Sequence, residues 1–126
     1  MILLDTSAVI ASFGAERTAY PLLLKMLAHD EPVVLCSVVL YEWLRGPRTA
    51  MEIDAQERVL SSDEALPFAL SEAALAADIY RSVKRAGNRE VDIMIAATAI
   101  YHKARLWTLN TGDFADIPGL QLYKPR

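Results

Sequence analysis

The chain has 126 residues, 53% of them hydrophobic and 23% charged, with a net charge of −3. One globular domain fits that length and composition; a disordered chain or two separate cores do not. A pI near 5.3 argues against a protein held to nucleic acid by bulk charge, and one cysteine, Cys36, excludes an internal disulfide.

Ile2-Leu3-Leu4 reads as a short strand, and Asp5-Thr6-Ser7 can cap a helix starting near Ala8. Asp5 also interrupts the apolar start, and no Lys or Arg precedes it, which makes a poor signal peptide. A second helix is expected over 18–28. Val33 to Cys36 reads as a buried strand, with Cys36 a strand residue in a reducing compartment. Ser37 can cap a helix to Arg45, stopped by Gly46-Pro47. Thr49 and Glu52 have capping-box spacing and open a helix to about Leu60.

Leu66-Pro67-Phe68 is expected as an edge strand, because proline cannot donate to a central ladder. Leu75, Ile79 and Val83 mark a helix over 71–86. Residues 91–103 are apolar nearly all round, the pattern of a buried helix. Leu106 to Leu109 reads as a strand, Asn110 to Phe114 as a turn with a short helix, and Leu120-Gln121-Leu122 as a last strand. Strands alternating with helices predict an α/β fold, a single domain over 1–126 with a parallel sheet. No run approaches the length of a membrane span, so the expected location is cytoplasmic.

Four carboxylates, Asp5, Glu42, Asp92 and Asp113, fall at or near strand-to-helix junctions. A parallel sheet gathers those junctions at one edge, where ligands bind. Each acid has an ordinary alternative: a cap for Asp5, an i,i+3 partner of Arg45 for Glu42, a helix N-terminal acid for Asp92, a turn residue for Asp113. Together they would repel one another unless a cation joined them, and their oxygens suit Mg²⁺ or Mn²⁺. Thr6, Ser7, Thr108, Asn110 and Thr111 lie beside them and can orient the acids, or serve only as turn and cap residues.

From Arg81 to Arg105 six basic residues face two acids, and from Glu52 to Glu64 five acids face Arg58. Arg81, Lys84, Arg85 and Arg89 are the candidate contacts to a phosphate backbone; a solvated helix face is the alternative. His29 and His102 are expected at the surface, His102 about 15 Å along a helix from Asp92.

The runs Ile2-Leu3-Leu4-Asp5-Thr6-Ser7, Glu42 in the helix after the second strand, Val91 to Ala99, and Leu106 to Phe114 follow one another in a familiar order. With Ile117-Pro118-Gly119-Leu120, they resemble the PIN-domain ribonucleases of the VapC toxin type, over nearly the whole chain. The resemblance implies a five-stranded parallel sheet with helices on both faces and an endoribonuclease dependent on Mg²⁺ or Mn²⁺. Asp5 and Asp92 would be the main metal ligands, and Glu42 and Asp113 would complete the site or hold its waters. A water activated by the metal would attack the phosphodiester. The resemblance further implies a homodimer and a cognate antitoxin; Tyr41, Trp43 and Leu44 could offer an apolar surface to either, or belong to the core. A phosphatase with a second Asp two residues after the first is excluded, because Ser7 stands there. A PIN-like module that binds RNA or a protein without cutting is the remaining alternative.

Overall fold

The computed structural model of the chain describes residues 1–125. At its centre β1 (Ile2–Leu4) runs parallel to β2 (Val33–Val34) on one side and β3 (Arg105–Trp107) on the other. Ile2 lies opposite Val33 and Arg105, and Leu4 opposite Trp107. Successive strand residues point to opposite faces, and all three β1 residues are buried. Both faces of the central strand are therefore covered, as a parallel sheet requires.

Among the described residues the sheet has three strands, not the expected five. Leu66 and Leu122 take the two outer positions, each by a single parallel bridge, Leu66 to Cys36 and Leu122 to Leu106. Leu66 N–H donates to Leu35 O and its carbonyl accepts from Ser37, both at 2.9 Å. Pro67 follows and has no N–H to extend that ladder. On the other side the tail exchanges two bonds with Leu106 alone, through Gln121 O and Tyr123 N. Five segments align, but the outer two are one residue wide.

Among the described residues six α-helices surround the sheet: α1 (Thr6–Phe13), α2 (Tyr20–Leu27), α3 (Ser37–Arg45), α4 (Ala50–Val59), α5 (Leu70–Ser82) and α6 (Glu90–Tyr101). The capping box of α4 forms as its spacing predicts: Glu52 N–H donates to Thr49 Oγ1 at 3.1 Å, and Thr49 N–H to Glu52 Oε1 at 2.7 Å. Helix α5 ends four residues earlier than expected. Val83 takes an extended backbone (φ −104°, ψ 159°) and so ends the helix although it fits the apolar period; Arg85 then turns left-handed (φ 56°), and a 3₁₀ turn over Ala86–Asn88 leads into α6. The apolar sequence of α6 is matched by its burial: Ile93, Ile95, Ala96, Ala97 and Ala99 are all in the core.

His102 is not a simple surface residue. It ends α6, and its Nε2 lies 2.7 Å from Oε2 of Glu72 on α5, which is 2% exposed. Burial pushes the Glu72 carboxyl up, but its own backbone N–H, His102 and Ala69 N–H together pull it below the usual range. His29 is exposed, as expected. Among the described residues no helix is long and apolar enough to cross a membrane.

Candidate active site

Asp5 directly follows β1 at the N-cap position of α1, yet its side chain makes no capping bond. Its Oδ2 instead accepts two hydroxyls, from Thr108 Oγ1 at 2.7 Å and Ser7 Oγ at 2.9 Å. A hydroxyl has one proton to give, so the 3.3 Å between the two hydroxyl oxygens is proximity rather than a bond. Each hydroxyl oxygen is held in turn by a backbone N–H, Leu109 to Ser7 and Asn110 to Thr108, both at 3.0 Å. Strand β3 and the loop after it thereby lock the rotamer of a carboxylate that is 4% exposed. Both donors converge on Oδ2, which leaves Oδ1 as the oxygen turned over to other partners.

Glu42 lies on α3, whose N-terminus follows β2, and its side chain is 18% exposed. Thr6 Oγ1 donates to its Oε1. Arg45 stands 3.5 Å from Oε2, so the i,i+3 pair exists but is looser than the threonine contact. Asp92 sits in the first turn of α6 and is half-buried. Burial first, then the charges of Asp5, Asp113 and Glu42, push its carboxyl up to about 6, against a smaller pull from Arg89. Asp113 is exposed, in a 3₁₀ turn (Thr111–Asp113) after β3. Asp92 thus lies within the field of the other three acids. Among the described residues, no three of the four, nor any His or Cys with them, stand close enough to ligate a single ion directly.

The neighbouring polar residues divide. Ser7 and Thr108 contact Asp5 and Thr6 contacts Glu42, whereas Asn110 takes part through its backbone N–H. Thr111 is exposed and uses its carbonyl to cap the turn at Phe114. Cys36 lies near the same edge; burial pushes its thiol up to about 11, with Asp5 and Glu42 adding to the shift, so it is an inert thiol at neutral pH.

The candidate RNA contacts divide too. Lys84 and Arg85 are exposed beyond the end of α5. Arg81 pairs with Asp78 on the same helix, in solvent. Arg89 is bound to Asp116, an acid with no local sequence signal that marks it. Tyr41 and Leu44 are 62% and 50% exposed, while Trp43 is fully buried, so only the first two remain available to a partner. A cavity of about 800 Å³, lined in part by Lys25, His29, Arg105 and Tyr123, opens at the opposite edge of the sheet and includes none of the four acids.

A family model described as PIN domain matches residues 2–120. The chain belongs to the PIN domain family. This PIN domain is 34% identical over 127 residues to ribonuclease VapC19 of Mycobacterium tuberculosis, with 96% of this chain and 98% of that relative covered. Its fold matches a chain of the VapBC2 complex from Rickettsia felis, solved with a promoter DNA fragment, at a TM-score of 0.77 and 24% identity over 98% of each chain. A chain of a toxin–antitoxin complex from Klebsiella pneumoniae gives a TM-score of 0.75 at 25% identity, covering 100% of this chain and 98% of that one.

Proposed function

We propose that this PIN domain is the endoribonuclease toxin of a toxin–antitoxin pair and hydrolyses RNA phosphodiesters at its carboxylate edge with Mg²⁺ or Mn²⁺. The observation that carries this reading is the treatment of Asp5 and Asp92. One is fixed by two hydroxyls on a single oxygen, and the other is held half-buried among three further acids. A scaffold keeps such repulsion where function uses it, and a hard cation relieves it.

Asp5, through Oδ1, and Asp92 would ligate the ion directly. Glu42 is engaged by Thr6 and Asp113 is exposed, so both suit contacts through ordered water. When bound, the ion supplies an acidified water and offsets charge on the phosphoryl oxygens. The chain's own residues do the positioning. Ser7 and Thr108 hold Asp5 in one rotamer, and Thr6 steadies Glu42. Lys84 and Arg85 would take the RNA backbone. Exposed Tyr41 and Leu44, beside Glu42, would meet an antitoxin whose basic tail matches the acidic edge. A homodimer in the cytoplasm is part of the same reading.

Purified, antitoxin-free protein should cut a structured RNA pool with Mg²⁺ or Mn²⁺, and lose that activity with EDTA or as Asp5→Asn. Absence of cutting by protein shown calorimetrically to bind Mn²⁺ would favour a binding module without catalysis.

A further inference from the structure

We propose that Arg89 is a positioning residue that clamps the Asp113 loop to the start of α6 through Asp116, and that it does not contact RNA. The inference rests on the carboxylate edge being the metal site proposed above. Arg89 is the N-cap residue of α6, three positions before Asp92. Its Nη1 donates to Asp116 Oδ2 at 2.9 Å and Lys84 O at 3.1 Å. Its Nη2 donates to Asp116 Oδ1 at 2.6 Å and Asp113 O at 2.8 Å.

The two terminal nitrogens of a guanidinium carry four N–H groups, and here all four are taken. Only the Nε–H remains, on a side chain that is 16% exposed, so a phosphate would have to displace existing bonds. The partners come from three places: the end of the α5 connection, the Asp113 carbonyl, and Asp116 beyond it. One planar group thereby sets the distance between the Asp92 helix and the Asp113 turn. The fork-to-fork pairing with Asp116 fixes orientation as well as charge, which a lysine cannot reproduce.

The test compares Arg89→Gln, Arg89→Lys, Asp116→Asn and the double variant Arg89→Gln/Asp116→Asn. Mn²⁺ affinity is read by calorimetry, RNA cleavage as separate kcat and KM, and RNA binding as a function of salt. Each single variant should weaken Mn²⁺ binding and lower kcat by about tenfold, as residues that orient metal ligands do. KM and the salt slope of RNA binding should stay at the parental values. The double variant should be no worse than Arg89→Gln alone, because that change already removes the pairing with Asp116. A raised KM and flatter salt slope for Arg89→Gln, with Asp116→Asn at the parental Mn²⁺ affinity and kcat, would overturn the proposal and make Arg89 an RNA contact. Full function in Arg89→Lys would overturn it as well, since charge alone would then suffice. If the parent binds no Mn²⁺, the metal-site reading falls and hydrogen exchange decides the clamp by itself. Faster exchange of the Phe114 and Ile117 amides in both Arg89→Gln and Asp116→Asn upholds it, and parental exchange overturns it.

Discussion

At the N-terminal edge of the sheet, Glu31 accepts the Met1 amino group on one oxygen at 2.8 Å and Arg105 on the other. Arg105 also lies over the Tyr123 ring, 4.9 Å from its centre. At the C-terminal edge of the same strands, Asp92 lies in the field of Asp5, Asp113 and Glu42, with one loose arginine beside Glu42 and one committed arginine near Asp92. The carboxyls answer in opposite directions. The hydrogen bond from the Met1 amino group, with Arg105 behind it, holds Glu31 below its ordinary value, while Asp92 is raised to about 6. Charges that neutralise one another tie chain ends together; like charges that the scaffold holds together are the feature on which the proposed cation site rests.

The contrast is broken most forcefully by removing one acid. Asp5→Asn and Asp92→Asn should each lower RNA cleavage by about 10² or more, measured as single-turnover rate with saturating Mn²⁺. A parental rate in both would remove these residues from the site. Thr108→Val keeps the shape but takes away one hydroxyl of the Asp5 lock and leaves Asn110 N–H without its acceptor. Cleavage should fall by about tenfold, with a loss of stability of about 1–3 kcal/mol by chemical denaturation.

Stability without metal sharpens the same contrast. The raised pKa of Asp92 means that its ionisation opposes folding: the penalty is absent below 3.8 and complete above about 6. In EDTA, Asp92→Asn should therefore melt higher than the parent at pH 7, by about 4 °C for each kcal/mol of burial and repulsion penalty relieved, and the advantage should vanish near pH 3.5. Glu31 has the opposite sign, stabilising above its ordinary value of 4.5 and losing that contribution as pH falls through its depressed one. Its partners are about a third exposed, so Glu31→Gln should cost no more than about 1 kcal/mol, shrink further in high salt, and leave cleavage unchanged. A large loss of cleavage from Glu31→Gln would show that the two edges communicate.

What could be read from the sequence were features whose cause is local. The capping box at Thr49 and Glu52, the apolar α6, and the Gly46-Pro47 stop of α3 each depend on residues a few positions apart, and each appears in the structure. The strand count failed because pairing width is a property of two segments; Leu66 and Leu122 have strand-like neighbours but meet one residue each. The end of α5 was misplaced because Val83 fits the apolar period yet takes an extended backbone, a change that periodicity does not report. Asp5, Asp92 and Asp113 were legible as candidates because they follow a strand, open a helix or sit in the turn after a strand, and Glu42 because it is a lone acid inside the apolar α3. Partners 27 to 103 positions apart, Arg89 with Asp116, Glu72 with His102 and Thr108 with Asp5, carry no spacing by which to find them.

The single-residue edges of the sheet have a consequence for how the protein survives in a crowded solution. A sheet normally ends in a row of unpaired backbone groups that can recruit another chain and seed aggregation. Here the outermost segment on one side meets proline after one paired residue, and on the other it exchanges both of its bonds around Leu106. For a chain that is 53% hydrophobic, so little exposed template is a safeguard against self-association through β-structure. Replacing Pro67 by valine would restore an N–H there and lengthen the template, trading a blunt border for an adhesive one.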